Sequence, residues 1–411
     1  MNSELKKVLF VHNGPLHQDA SGRFFGVMMN DSLRRRYLAL GDQVTFLMRK
    51  RLVDTGAGQL SPIDNDRFSF IELPEIMNLK SRILNYSAAN AIVRDAVSSH
   101  DIIVVRLPSA AGNLALPHCI RMGKPYMVEF VACGFDALWN YNWKGKLLAP
   151  MMYLRQKRRM RNVPFVVYVT KQFLQKRYPS KGRQTNISNV ELDWISEKNL
   201  DNRLERIDAW DGRRRLVLGT VAALNVPYKG QADVIKAIAR LKKSGILVDY
   251  RLIGGGSPSR LLELTDRLGL QDQVKVIGAV PHAEVFRHLE CIDIYVQPSR
   301  QEGLPRAVIE AMSMACPTIG AATGGIPELL SEDRIFPKRS ISRIAELVKI
   351  LLNKDLLMSD ARRNFLEVSQ YEKSALDAKR QDFYADFLDN YRLPKNNIED
   401  NGRCSTTEDA L

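Results

Sequence analysis

The chain has 411 residues, 45% of them hydrophobic, and a formal net charge of +14. That is enough apolar material for two or three domains, and no apolar run reaches the length of a membrane-spanning helix. Five cysteines without a Cys-x-x-Cys spacing argue against a disulfide scaffold or a cysteine metal framework and fit a reducing compartment.

The first residues, MNSELKKVLFVHNG, carry Glu4 and pass straight into a strand-like run, without the long apolar core of a secretory leader. A cytoplasmic protein is expected. Lys7 to His12 reads as a buried strand, followed by a loop with Ser21-Gly22, where glycine lets the backbone approach a ligand. A helix is predicted from about Gly26 to Leu40, with Gly41 as its stop. Strands follow at Gln43 to Met48 and Phe68 to Leu73, a helix at Ser81 to Ser99, a strand at Asp101 to Arg106, a helix at Asn113 to Met122 and a strand at Tyr126 to Val131. Phe165 to Thr170 reads as the last strong strand of this half. Strands alternating with helices imply parallel sheet and an α/β fold.

Between Ala137 and Val190 there is no Asp or Glu but there are twelve basic residues. Such an excess attracts phosphate-bearing surfaces. Within it, the run from Trp139 to Arg161 mixes Trp, Tyr and Met with its bases. It suits an anionic membrane face, with Lys144, Lys146 and the Arg155 to Arg161 cluster on headgroups and Trp139, Trp143 and Leu147 dipping in. A solvated basic face is the plainer alternative, and no nucleic acid is expected.

Periodicity then lapses, and 186–214 reads as a polar linker between a first domain, 1–185, and a second, 215–370. The second opens with a strand at Arg215 to Val221. Tyr228-Lys229-Gly230 then precedes a helix at Gln231 to Ser244. A lysine there can reach diphosphate oxygens as a point charge, or simply be solvated. Val248 to Ile253 is a strand ending in Gly254-Gly255-Gly256, an incomplete dinucleotide fingerprint better read as a strand-end turn. A helix at Pro258 to Leu268, a strand at Val274 to Ile277 and a helix at His282 to Leu289 come next.

The stretch from Asp293 to Leu330 reads DIYVQPSRQEGLPRAVIEAMSMACPTIGAATGGIPELL. A short buried strand ends at Pro298-Ser299, Gly303 turns the chain, and Pro305 opens a helix. Glu302 sits in the loop and Glu310 inside the helix. At about 1.5 Å per residue, the steps between them span roughly 12 Å, close to the reach of a nucleotide sugar from hexose to ribose. The unpaired N–H groups of the helix start favour a diphosphate between the two. Taken alone, two such carboxylates also fit a solvated helix face and a turn. A strand at Ile335-Phe336 and a helix at Ile341 to Leu352 follow. A late amphipathic helix occupies 371–392, and 393–411 reads as a polar disordered tail.

The run PSRQEGLPRAVIEAM followed by GGIPELL resembles the donor-site signature of retaining glycosyltransferases of family 4, which have the GT-B fold. The likeness covers nearly forty residues with its flanks. It implies two Rossmann-like domains facing a cleft, with the 371–392 helix crossing back to the first. It also implies transfer of a hexose or N-acetylhexosamine from a nucleotide-diphospho-sugar with retention and without a metal or other cofactor. On that likeness the donor-binding positions are Gly22, Lys229, Gly254, Glu302, Gly303, Leu304, Arg306, Glu310, Gly324 and Gly325. Lys229 binds the diphosphate, Glu302 and Glu310 grip the two ends, and catalysis rests on Glu302 and Lys229. Two positions depart from the pattern. Leu224 stands where an Arg is frequent, which shifts phosphate neutralisation to Lys229, Arg306 or Arg300. Val131 stands where many members have a His on the transferred sugar. By their place in the sequence Asp136, Arg106 and Glu129 become the acceptor-side candidates, Asp136 also as a catalytic group. The run VRLPSAAGNLALPHCIRMGKPYMVEF resembles members that build surface polysaccharides, which implies a glycan or lipid-linked acceptor at the cytoplasmic membrane face. A nucleotide-sugar epimerase and a non-catalytic subunit that binds the nucleotide sugar stay open as rival readings.

Overall fold

The computed structural model describes residues 5–26, 29–53 and 60–392. The first sheet contains β1 (Lys7–Gln18), β2 (Phe24–Gly26), β3 (Gln43–Leu52), β4 (Ser61–Pro62), β5 (Phe68–Glu72), β6 (Ile102–Leu107), β7 (Tyr126–Phe130), β8 (Phe165–Tyr168) and β9 (Arg183–Asn186). Its parallel strands lie in the order β5, β3, β1, β6, β7, β8, β9, while β2 pairs antiparallel with the end of β1, and β4 with β2. The second sheet, β10 (Leu216–Val221), β11 (Val248–Ile253), β12 (Val274–Gly278), β13 (Ile294–Gln297), β14 (Thr318–Ala321) and β15 (Ile335–Phe336), is parallel throughout in the order β12, β11, β10, β13, β14, β15. Both sheets reverse their winding beside their first strand, between β1 and β6 and between β10 and β13. In such sheets a ligand crevice opens at the carboxyl ends of the strands at that reversal. Strands such as β6 (IIVVRL) are buried along their whole length, as helices on both faces require. The chain thus forms the two Rossmann-like domains of the GT-B architecture.

The carboxyl ends of the two sheets face each other. Gly303, after β13, lies so close to the Val131 carbonyl, after β7, that a Cβ there would come within 2.6 Å of it. Leu304 packs against the cores of both domains. The Glu328 carboxylate accepts from the backbone N–H groups of Lys171, Gln172 and Phe173 at 2.5, 3.0 and 2.5 Å. It thereby caps a first-domain helix, Phe173–Arg177, from the second domain.

Several elements differ from the sequence expectation. β1 runs on to Gln18 and folds back as a hairpin through Phe24 and Phe25, and the helix predicted from Gly26 is the shorter Asp31–Tyr37. Paired aromatic residues favour strand there. The polar β9 joins the first sheet as an edge strand, which a hydrophobic pattern cannot reveal. Helices Gly134–Trp139, Trp143–Met160 and Lys354–Val368 and strand β14 have no counterpart in the expected elements.

Within 186–214, a helix spans Glu197–Asp208. Its Ile207 enters the second core, and its buried Arg203 donates to the carbonyls of Leu289, Ile292 and Met314. The connection itself is short. Leu192 donates to the Tyr371 carbonyl and accepts from the Lys373 N–H, so the outgoing and returning crossings are bonded side by side. The final helix, Lys373–Arg392, returns Leu376, Phe383, Tyr384 and Phe387 to the first-domain core. Residues 393–411 lie outside the described residues.

Candidate active site

The site is built from the end of β13 outward. The Tyr295 hydroxyl donates to Gln297 Oε1 at 2.7 Å, and Gln297 Nε2 donates to Ser299 Oγ at 2.9 Å and to Glu302 Oε1 at 3.1 Å. Lys229 Nζ reaches the same Glu302 oxygen at 2.7 Å. Two loops are therefore joined at one carboxylate. The turn Pro227–Lys229 can come this close because Gly230 has φ +81° and a Cβ there would stand 2.2 Å from the Pro298 carbonyl. The Arg300 N–H adds a 2.7 Å bond to the Tyr228 carbonyl.

Glu310 lies within the helix Arg306–Ser313 and is 3% exposed. His282 Nε2 lies 2.7 Å from its Oε1, and Arg306 Nη1 is 3.8 Å away. The Glu310 carboxylate raises the His282 pKa through that hydrogen bond against a smaller opposing effect of burial. His282 and Gln297 are absent from the sequence expectations. A polar residue at a helix start or strand end gives no spacing signal of its role.

Around this pair the structure adjusts the predicted set. Gly324 has φ +58° and a Cβ there would lie 2.3 Å from the Glu302 carbonyl. The Gly325 N–H is bonded to the Gly303 carbonyl at 2.6 Å. That N–H therefore fastens the Glu302 loop, in place of the expected contact with a donor. Arg300 makes two bonds to Asp233, at 2.8 and 3.1 Å, so its charge is already matched. Leu224, where an Arg is frequent in the resembled family, is 1% exposed in the second core. Gly254 turns the end of β11 over Ala222. Gly22 sits in the β1–β2 hairpin, closed by a bond from its N–H to the Asp19 carbonyl.

The first-domain candidates behave differently. Arg106 and Glu129 are direct partners across β6 and β7, and each is buried. Arg106 Nη2 and Nε donate to Glu129 Oε2 at 2.6 and 3.0 Å, and the Tyr37 hydroxyl donates to Oε1 at 2.8 Å. Burial works against Glu129's charge, but Arg106 and Arg36 outweigh it and hold the carboxyl below its usual range. The pair faces inward, so the expectation that Arg106 and Glu129 meet an acceptor is corrected. Nearby His12 is pushed down to about 3 by burial and then by Arg106, and its Nδ1 accepts from the Gly14 N–H. Asp136 is ion-paired to Arg177 at 2.9 Å. It still borders a cavity of about 440 Å³ between the domains, with Trp139, Tyr228 and Arg300. Val131 meets Gly303 at this seam.

Lys229 and Arg306, joined by His282 when it is protonated, thus bring positive charge near a helix start whose first amides have no intrahelical acceptor. Such a site can hold an anion between two carboxylates.

Residues 212–367 match the family model described as glycosyl transferases group 1, so the second domain is a group 1 glycosyltransferase domain. The chain is 27% identical over 383 residues to protein CapJ of Staphylococcus aureus, across 91% of this chain and 94% of CapJ. It is 34% identical over 128 residues to the putative colanic acid biosynthesis glycosyltransferase WcaL of Escherichia coli, across 29% and 32% of the two chains. Among solved structures it is similar to HepE of Anabaena, in complex with UDP and glucose. That likeness has a TM-score of 0.62 at 16% identity, over 94% of this chain and all of that one, 100%.

Proposed function

We propose that this glycosyltransferase moves a hexose or N-acetylhexosamine from a nucleotide-diphospho-sugar to a glycan or lipid-linked acceptor in surface polysaccharide synthesis, with retention and without a metal. The observation that carries the reading is the shared grip of Lys229 and Gln297 on Glu302, set one helix away from the buried Glu310. In the free site Lys229 neutralises Glu302. A donor diphosphate over the helix start would draw the lysine to its oxygens and release Glu302 to accept from hydroxyls of the transferred sugar. Glu310 would accept from the ribose. As the glycosidic bond breaks, charge grows on the leaving diphosphate, and Lys229, the helix amides and Arg306 would stabilise it. The departing phosphate can itself take the acceptor proton on the front face. No separate base is then required, which accommodates Val131 and the ion-paired Asp136. UDP and glucose in HepE support a nucleotide sugar as donor.

The acceptor is proposed to sit at an anionic membrane. No helix among the described residues is long and apolar enough to cross one, but Trp143, Leu147 and Met151 are exposed beside basic residues on the Trp143–Met160 helix, a pattern suited to lying on a bilayer. The loss of an Arg at Leu224 favours one alternative, a subunit that binds nucleotide sugar without turning it over. A thermal-shift panel of UDP, GDP and ADP sugars identifies the donor, and a product assay in chelator with NMR of the new linkage tests transfer and retention. Stabilisation without product, with or without metal, would favour the binding subunit; inverted product would refute retention.

A further inference from the structure

On the first domain, away from the cleft residues just described, a cavity of about 210 Å³ lies among the helices Leu79–Ser98, Ala110–Arg121 and Trp143–Met160. It is smaller than the roughly 300 Å³ of pockets that enclose a drug-sized ligand, and so fits a headgroup better than a nucleotide sugar. Three guanidinium groups, of Arg82, Arg155 and Arg159, line it. Among the described residues no ion pair reaches any of them. Arg159 is fixed by a 2.7 Å bond from Nη1 to Asn113 Oδ1. Burial, then the neighbouring Arg155, lowers its pKa, as expected of a cation without a counter-ion. The cavity also contains Gln156, only 8% exposed, whose Nε2 has no hydrogen-bond partner. A buried amide without an acceptor is costly, and an anion in this cavity would supply one.

The surroundings identify the kind of anion. Ile83, next to Arg82 on its helix, is 71% exposed. On the other helix Leu147, Met151 and Leu154 recur at i, i+4 and i+7 and are 72%, 57% and 52% exposed, along the stripe next to Arg155 and Arg159. Ile83 on one helix and the Leu147, Met151 and Leu154 ridge on the other therefore border a basic hollow. Free phosphate has no use for that apolar rim, whereas a lipid uses both parts.

We infer that this cavity binds the phosphate headgroup of a membrane lipid, with Arg82, Arg155, Arg159 and Gln156 around the phosphate and the apolar rim in the acyl layer. The inference rests on the membrane placement in the proposed function and gives it a defined lipid site.

The test compares two double variants of equal charge by flotation with phosphatidylcholine vesicles doped with phosphatidylglycerol. One is Arg82→Ala with Arg155→Ala; the other is Lys144→Ala with Lys146→Ala, outside the cavity. Non-specific attraction to an anionic surface contributes roughly fivefold per basic residue and would weaken both equally. A headgroup site predicts that the arginine pair loses roughly tenfold more than the lysine pair, and that Gln156→Leu weakens binding without any change in charge. Equal losses in the two doubles, or no change in Gln156→Leu, would overturn the site. So would equal thermal stabilisation by inorganic phosphate alone with no vesicle binding. Nucleotide-sugar binding is measured on the same proteins. Failure there with vesicle binding intact would refute the transferase reading and leave the lipid site standing.

Discussion

Lys229 and Glu302 meet at 2.7 Å with side chains 23% and 11% exposed, while Arg106 and Glu129 meet at 2.6 Å with side chains 5% and 6% exposed. Both are lysine or arginine on glutamate at the carboxyl end of a parallel sheet. In the first domain every strong bond of the pair is spent inside the protein, with Tyr37 supplying a further donor. In the second the pair remains open on one side, so a ligand can take over one partner and free the other. Ion pairing alone does not separate architecture from chemistry; access to a competing ligand does.

The comparison can be tested at its strongest point first. Arg106→Ala leaves Glu129 charged and buried and should cost about 3–5 kcal/mol of stability, read as a fall in the denaturation midpoint; protein that remains folded should bind donor as before. Near-unchanged stability would mean that the pair is wetter than it looks. Lys229→Ala should reverse the pattern. Turnover should fall by about 10²–10³, or roughly 2.7–4 kcal/mol of transition-state stabilisation, with little change in melting temperature. Glu328→Ala acts between the two regions. Losing the cap from the Lys171–Phe173 amides should cost about 1 kcal/mol and enlarge the particle in small-angle X-ray scattering without donor; an unchanged scattering profile would assign closure to Gly303 and Leu304 instead. The smallest effect concerns His282. Its pKa is raised in the folded protein, so its stabilising contribution is complete below the unfolded value of 6.5 and is lost as pH rises through the raised folded value. Melting curves of the wild type and His282→Gln should converge with rising pH over that window; a constant gap would place the contribution in packing.

The segment from Asp293 to about Ala315 could be read closely from the sequence. Its strand, loop and helix follow from local punctuation, with Glu302 in the loop and Glu310 inside the helix. That Lys229 touches Glu302 was not legible, because the bond joins positions on loops that only the sheet brings together. The error over Arg106 and Glu129 has the same origin. They are register partners on β6 and β7, and sequence order gives no register between strands. The helix Glu197–Asp208 reads as linker because nine of its twelve residues are polar. Its apolar stripe, Leu200, Leu204 and Ile207 at i, i+4 and i+7, packs on the second core but is short, and Arg203 on the same face is spent on carbonyl groups. β9 is hidden for a related reason, since an edge strand spelled RQTN follows no apolar alternation.

The chain passes between the domains twice, and Leu192 is laced to Tyr371 and Lys373 where it does so. A lone tether would let the lobes slide, twist and tilt. Two peptide segments tied edge to edge act as a ribbon, which bends across its face far more easily than it shears or rotates. Any parting of the lobes would then follow a single swing across that ribbon, with sliding and twisting resisted.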